Sequence, residues 1–444
     1  MGRCAVSTQK QKRPFALRAL ATFAGTLAIL FVLLLAAYAL PGERVRQHVY
    51  DSARTIQNEG LYLEYLGFKL FQMDNYTDTL MLFEAASADE LPPLQAMMTN
   101  TAYNVDNFET LADDLAWYIE KDWSTGAQRT DAPVLEPFSY ARYWHGYLIW
   151  LRPLLLLMPY TGVRIVQYIV LFALLAVVLV QLRRRCGLRA TVWFAISQLA
   201  VSVWFVPHQV QYFTCFMIAY AGCAWVLAKP RRSDVLCLGL LVLGTATAFC
   251  DLLVTPIITL GLPLTCWLLE PQQRLRGGVP QCALAVGGSL CWGTGYALCW
   301  AGKWALAGAV TDNNVLADAL HQAEVRTTAD TWHGMELTWR NIFIFLYDTL
   351  NGHHLFWPAL AVLAVLIALF ILSIRSKTAL VRALPLALTT CMTPAWFVLL
   401  RTHSIQHGWF TWRALGLTVF AGLAFLYYAC DLRAARRRLQ KGSI

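Results

Sequence analysis

Asp74 and Asp78 lie in the run Phe71-Gln-Met-Asp-Asn-Tyr-Thr-Asp-Thr-Leu-Met-Leu, with Asn75 beside the first acid. Residues at i and i+4 share one face of a helix, so a helix here presents both carboxylates together. Such a pair suits transfer of a sugar onto a hydroxyl or amide. One carboxylate takes the acceptor's proton, and another acid orients the acceptor or holds a metal. The same residues also make an ordinary helix start, because Asp and Asn before an apolar run accept from the free N–H groups of a first turn. Of the two, Asp78 is the expected base and Asp74 the reserve. Asp78 directly precedes an apolar run where partial desolvation would raise its basicity, and Asp78→Asn is expected to keep the fold while losing transfer.

Three further groups carry candidate binding residues. Arg142, His145, Arg152 and Arg164 stand among Tyr143, Trp144, Tyr147 and Trp150, just before an apolar run. Arg forks fit phosphate and the aromatic rings favour the headgroup zone, so the segment suits a lipid-linked phosphate; an aromatic belt touching bulk lipid headgroups is the plainer alternative. Asp251 interrupts two apolar runs, as a helix-end cap or a cavity-facing acid, with His208 and Lys303 as similar edge residues. The stretch Arg401-Thr-His-Ser-Ile-Gln-His-Gly-Trp-Phe-Thr-Trp-Arg413 brings His403 and His407 to i, i+4 spacing between two arginines. That spacing permits metal binding, but no HExxH glutamate is present, and hydrogen bonding to a diphosphate or sugar is the expected use. No metal ligand set is assigned. The cofactor stays open, with a divalent cation among the options.

The elements that must position these residues are membrane spans. The chain has 444 residues, of which 57% are hydrophobic and 14% charged, with a mean hydropathy of +0.47, so lipid is the solvent for most of it. The expected fold is an all-α polytopic membrane protein of about ten transmembrane helices with a large first extracytoplasmic loop. Residues 1–18 form a basic cytoplasmic N-terminus and 19–40 an uncleaved first span. Residues 41–164 form the extracytoplasmic loop with interfacial helices, and 165–301 carry spans two to seven. Residues 302–356 return to the outer side, 357–430 hold spans eight to ten around an outer loop at 401–413, and 431–444 are a cytoplasmic tail. Charge supports this threading: the segments placed inside hold 22 of the 36 Lys and Arg but 3 of the 27 Asp and Glu. The net charge of +9 is therefore an orientation signal, and nucleic acid is not an expected partner. The twelve cysteines avoid the polar loop and behave as small apolar residues rather than a disulfide framework.

This layout resembles the GT-C superfamily of membrane glycosyltransferases, in its small bacterial form: a cytoplasmic N-terminus, an acidic motif in a large first outer loop, interfacial helices leading into the second span, and about ten spans. The resemblance implies a multi-pass cell-membrane enzyme with both termini cytoplasmic. It would move a sugar from a polyprenyl-phosphate-linked donor to an acceptor on the outer face. It places Asp78 or Asp74 as the loop carboxylate and the Tyr143–Arg152 segment beside the lipid-donor pocket. The family's usual adjacent acidic pair is replaced here by Asp74 and Asp78, with Asp113-Asp114 elsewhere. Implied partners are the lipid-linked sugar donor and membrane lipids; the sugar, the acceptor and the oligomeric state stay open. Two other classes compete: a transporter or flippase of a lipid-linked substrate, and a non-enzymatic membrane assembly factor.

Overall fold

The computed structural model describes residues 14–67, 71–88, 90–103, 137–274, 278–311, 314–328, 331–332, 335–336 and 356–431. Asp113, Asp114, Arg276, Asp330, His333, His353, His354 and the basic tail after Asp431 lie outside them. Nearly all described residues are helical, and seven described stretches are long and apolar enough to cross a membrane. The chain is an all-α polytopic membrane protein.

The first helix, α1 (Phe15–Tyr38), is followed by the amphipathic α2 (Glu43–Glu59), then α3 (Asn75–Ser87) and the short α4 (Pro93–Thr99). Strands β1 (Thr101–Tyr103) and β2 (Pro137–Ser139) pair antiparallel, with Ala102 opposite Phe138. Next come α5 (Leu148–Leu155), α6 (Tyr160–Arg185), α7 (Leu188–Ala200), α8 (Val210–Ala228), α9 (Ser233–Cys250), α10 (Ile257–Leu268), α11 (Gly278–Val310) and α12 (Val315–Thr328). A two-residue hairpin pairs β3 (Thr331–Trp332) with β4 (Met335–Glu336). The chain then runs through α13 (Phe356–Ser373), α14 (Lys377–Leu399), the single turn and a half of α15 (Arg401–Gln406) and α16 (Leu415–Ala429).

A described helix occurs at each of the ten expected spans, but α7 and α10 have only 13 and 12 residues. After α7 the backbone breaks at Ser202, in the left-handed region at φ 55°, and re-forms as a 3-10 turn. Before α10 the chain is non-helical from Asp251 to Thr255, with Leu253 at φ 69°. Two expected boundaries also move. Helix α6 starts at Tyr160, which takes Arg164 into the helix, and α11 runs on to Val310, which takes Lys303 and Trp304 out of the expected outer segment. At 1.5 Å per residue, the 33 residues of α11 span about 50 Å, well beyond a roughly 30 Å hydrocarbon layer.

The bundle centres on α8: 78% of its apolar window is buried, against 6% for α1 at the periphery. Helices α9 and α11 approach each other closely, and glycine makes that approach possible. A Cβ on Gly244 would stand 2.1 Å from the Trp292 carbonyl oxygen, and one on Gly295 2.3 Å from that of Leu241. The basic helix ends gather on one side. Arg18 pairs with Asp234 at 2.9 Å, Arg185 with Glu270 at 2.8 Å, and Arg274 donates to the Tyr428 hydroxyl at 2.5 Å. The first outer segment, α2 to α5, packs at the other end.

Candidate functional site

Three polar clusters occupy the acidic end of the bundle. The first contains both expected catalytic acids. Asp74 caps its own helix: one carboxylate oxygen accepts from the Thr77 N–H and the other from the Thr77 hydroxyl, each at 3.0 Å. Asp78 reaches across the fold to the start of α8. Its two oxygens accept the Val210 and Gln211 N–H groups, each at 3.1 Å, and the Tyr160 hydroxyl. These N–H groups have no partner inside α8, and a carboxylate at a helix N-terminus is favoured by the helix dipole. Gln209 fastens the same junction. It accepts from the Asp74 N–H at 3.1 Å and donates to Asn75 at 2.9 Å. Beside it, Arg164 forks onto Glu59 at 2.5 and 2.8 Å. Both acids are fully enclosed. Burial pushes the Asp78 carboxyl up to about 7, against the pull of the Tyr160 hydroxyl and the α8 N–H groups, and raises Asp74 as well.

Asp78 is thus a long-range cap that locks α3 onto α8, and its acceptor capacity is committed to protein donors. The expectation that Asp78→Asn conserves the fold changes with it: an amide puts an NH2 group against backbone N–H donors, which a carboxylate does not.

The second cluster lies behind α5. The Tyr147 hydroxyl donates to Glu84, and His145 places Nδ1 2.6 Å from the same carboxylate and Nε2 3.1 Å from the Tyr140 carbonyl oxygen. Both ring nitrogens therefore face acceptors. Lys303, fully buried on α11, donates to the Met97 carbonyl at 2.7 Å and to Asn100 Oδ1 at 2.5 Å, closing the C-terminal turn of α4. Arg152 donates to the Leu40 carbonyl at 2.7 Å at the end of the first span. His145 and Arg152 are both buried and tie the segment from α2 to α5 together.

The third cluster surrounds a cavity of about 120 Å³. One wall is Tyr296, Trp300 and Trp304 on α11, which continue an aromatic ladder begun by Trp292 at every fourth residue, with successive ring centroids 4.8, 5.1 and 6.0 Å apart. Trp396 and Leu400 from the end of α14 face them, and Leu253 from the unwound segment forms the floor. Two arginines complete the rim. Arg326 on α12 donates to the Tyr143 hydroxyl at 2.6 Å, and Arg142 pairs with Asp318 at 3.2 Å while lying over the Tyr140 ring at 4.5 Å.

In the same unwound segment, Asp251 accepts the Val254 N–H at 3.0 Å through one oxygen, while the other has no hydrogen-bond partner. Burial pushes this carboxyl up to about 7, with the Cys215 thiol and the nearby N–H groups pulling down. His403 donates through Nε2 to the Leu253 carbonyl at 2.8 Å, and its ring lies 4.7 Å from that of His407. Burial holds both imidazoles below their ordinary range, His407 at about 4, with the Arg326 charge adding to the effect. Near neutral pH both rings are uncharged. With His403 Nε2 committed to Leu253, these rings do not form a metal clamp, and among the described residues no group of three His, Cys, Asp or Glu could hold a metal ion.

The outer loop divides between two clusters. His403 and His407 turn toward Arg326 and the cavity, whereas Trp409 lies beside Asp74 and Tyr62. Arg413 lies over the Tyr212 ring at 4.5 Å and donates to the Trp409 carbonyl at 3.0 Å, away from the cavity. Arg401 keeps its Nε without a partner. The chain matches no family model, no curated protein and no solved structure.

Chemistry therefore has to pick among the clusters. Buried polar atoms are nearly always paired, so unpaired ones mark places where a ligand or water completes the set. On the cavity lining, Arg142 Nε, Tyr296 Oη and Trp300 Nε1 lack partners, and so do Asp251 Oδ1, His403 Nδ1 and His407 Nδ1 on the segments next to it. At the Asp78 junction both carboxylate oxygens already accept from protein donors. The cavity is the candidate site, and the α11 ladder and Arg326 are the parts that the acidic motif did not point to. The signal was present as aromatic residues at strict four-residue spacing on an otherwise small-residue helix.

Proposed function

We propose that this chain is an integral membrane glycosyltransferase that takes a sugar from a polyprenyl-phosphate-linked donor at the acidic end of its helical bundle. The observation that carries this reading is the aromatic cavity itself, rimmed by Arg142 and Arg326, with the Asp251 carboxylate within electrostatic range of its lining residue Tyr296. Arginine forks suit the donor phosphate, and aromatic faces suit the apolar faces of a sugar and the first isoprene units. In the transfer, the acceptor oxygen forms a bond to the anomeric carbon as the bond from that carbon to the phosphate oxygen breaks. The phosphate leaves with the electron pair, steadied by the two arginines, and Asp251 takes the acceptor's proton. A carboxyl at about 7 is well matched to that task near neutral pH.

One feature favours the transporter alternative. The backbone is unwound at Ser202 and from Asp251 to Thr255, and such breaks line substrate paths in transporters. One assay separates the two. Purified protein in liposomes is given polyprenyl-phosphate-linked hexoses together with a panel of hydroxyl-bearing acceptors, and both free polyprenyl phosphate and donor orientation across the bilayer are measured. An enzyme generates polyprenyl phosphate; a flippase changes donor orientation with no release. Arg326→Ala and Asp251→Asn proteins that release polyprenyl phosphate at the wild-type rate would remove this cavity as the transfer site.

A further inference from the structure

A second cavity, of about 470 Å³, lies at the opposite end of the bundle. Helix α14 joins the two: Ser376 and Thr378 at its start line the larger cavity, and Trp396 and Leu400 at its end line the aromatic one. The wall of the larger cavity carries Arg274, Arg375 and Arg382, and no Asp or Glu. These arginines come from separate parts of the chain, Arg274 after α10, Arg375 between α13 and α14, and Arg382 in the second turn of α14, so they converge through folding rather than as one basic run. Positive charge in cytoplasmic loops is expected for orientation alone. Orientation, however, does not require three guanidinium groups around a cavity with no counter-charge.

The groups are held in place. Arg274 donates through Nη1 to the Tyr428 hydroxyl at 2.5 Å and lies 5.0 Å from that ring's centroid, which leaves its buried Nε without a partner. Arg375 is fixed by donation from Nε to the Cys430 carbonyl at 2.6 Å. Arg382 makes no hydrogen bond or ion pair among the described residues. The first N–H groups of the 23-residue α14 open on the same side, and the Ser376 hydroxyl accepts only the Ala379 N–H, at 3.1 Å. On the same lining, Gln281 is 3% exposed. It donates to Gln273, while its carbonyl oxygen Oε1 has no partner. Three cationic forks and a helix start call for a phosphate; a buried, unfilled acceptor on the same lining calls for a donor such as a hydroxyl.

We propose that this cavity binds a phosphate ester bearing free hydroxyl groups, the arginines holding the phosphate and Gln281 Oε1 accepting from a hydroxyl. The ester is either the headgroup of an anionic lipid or a water-soluble phosphate, and the site is separate from the transfer cavity.

The test uses the full chain in phosphatidylcholine nanodiscs, with binding of two probes measured: phosphatidylglycerol mixed into the disc, and glycerol 3-phosphate in solution. Binding of the first alone identifies a lipid site, and binding of the second a soluble ligand. In either case Arg382→Glu weakens binding roughly tenfold or more, while Arg382→Lys retains most of it. Because Arg382 has no described partner, its reversal removes no internal contact, and an unchanged thermal transition verifies that the variant is folded. Gln281→Leu weakens glycerol 3-phosphate, or phosphatidylglycerol, while leaving any binding of inorganic phosphate intact. Failure of both probes to bind above the phosphatidylcholine background, or equal binding by wild type and Arg382→Glu, overturns the proposal.

Discussion

Arg326 Nη1 donates to the Tyr143 hydroxyl at 2.6 Å, and this bond joins α12 to the segment that leads into α5. It also fixes the arginine at the cavity rim, within electrostatic range of His403 and His407. Removing either partner therefore has different consequences. Arg326→Ala deletes the phosphate-binding fork and is expected to reduce transfer by roughly 10²-fold or more, the scale of losing one preorganised charge donor. Tyr143→Phe keeps the fork but frees its orientation, so the expected change is a higher KM with a smaller loss in kcat. Steady-state kinetics on both proteins read this split. Equal kcat and KM in Arg326→Ala and wild type would show that the fork does not touch the donor.

Asp78→Asn is expected to damage the fold before it damages chemistry. The carboxylate receives two N–H groups of α8 and the Tyr160 hydroxyl in a fully enclosed place. Turning an amide NH2 toward backbone donors leaves at least one of them unsatisfied, at a cost of about 1–3 kcal/mol. The expected result is a lower melting temperature and lower abundance in membranes, with residual protein retaining transfer. A folded, wild-type-stable Asp78→Asn protein without transfer would restore Asp78 as the base.

Lys303 is the matching case at the other sign. Its ammonium closes the end of α4 on the Met97 carbonyl and Asn100, with Trp144 5.5 Å away. Lys303→Met keeps much of the side-chain volume and strands these acceptors. The outer segment is expected to loosen while the helices around α8 persist, which limited proteolysis of the two regions would separate. Uniform protection across both would contradict this role.

The all-α membrane character was legible because hydropathy acts over whole segments: apolar runs of span length announce helices, and seven described ones are long and apolar enough to cross a membrane. The broken stretches were not legible. Nothing in the apolar runs 190–206 and 252–269 announces that Ser202 and Leu253 take positive φ. The helix start at Asp74, the plainer of the motif's two readings, is local and legible from spacing, but Asp78 satisfies a helix 132 residues away in the chain. Long-range capping has no spacing to read. Arg164, expected beside the donor lipid, is drawn into α6 by its pairing with Glu59, another contact between distant segments.

Topology follows from the gathering of basic ends at one side of the bundle. Reporter fusions at Gly126 and after Ile444 are expected to fall on opposite sides of the membrane, the second in the cytoplasm. Reporters on the same side would break the assignment of the aromatic cavity to the outer face and of the arginine cavity to the inner one.

Asp251 yields the sharpest prediction because its two roles have opposite pH dependence. Burial raises its carboxyl to about 7, above the roughly 3.9 of an unfolded chain, so the folded protein holds a proton that the unfolded chain has already released between those values. Its contribution to stability is therefore fully present below about pH 4 and falls as pH rises to about 7, by up to roughly 4 kcal/mol, then levels off. Asp251→Asn carries no such proton. It should be more stable than wild type at pH 8, with the difference shrinking toward pH 4. Transfer runs the other way: a base must be ionised, so the wild-type rate should rise with pH through about 7 and then plateau. In Asp251→Asn that limb should vanish along with roughly 10²–10⁴-fold of the rate. A stability difference that follows this pH course without any change in the rate profile would leave Asp251 buried for the sake of the unwound segment alone, and would transfer the search for a base to Asp74.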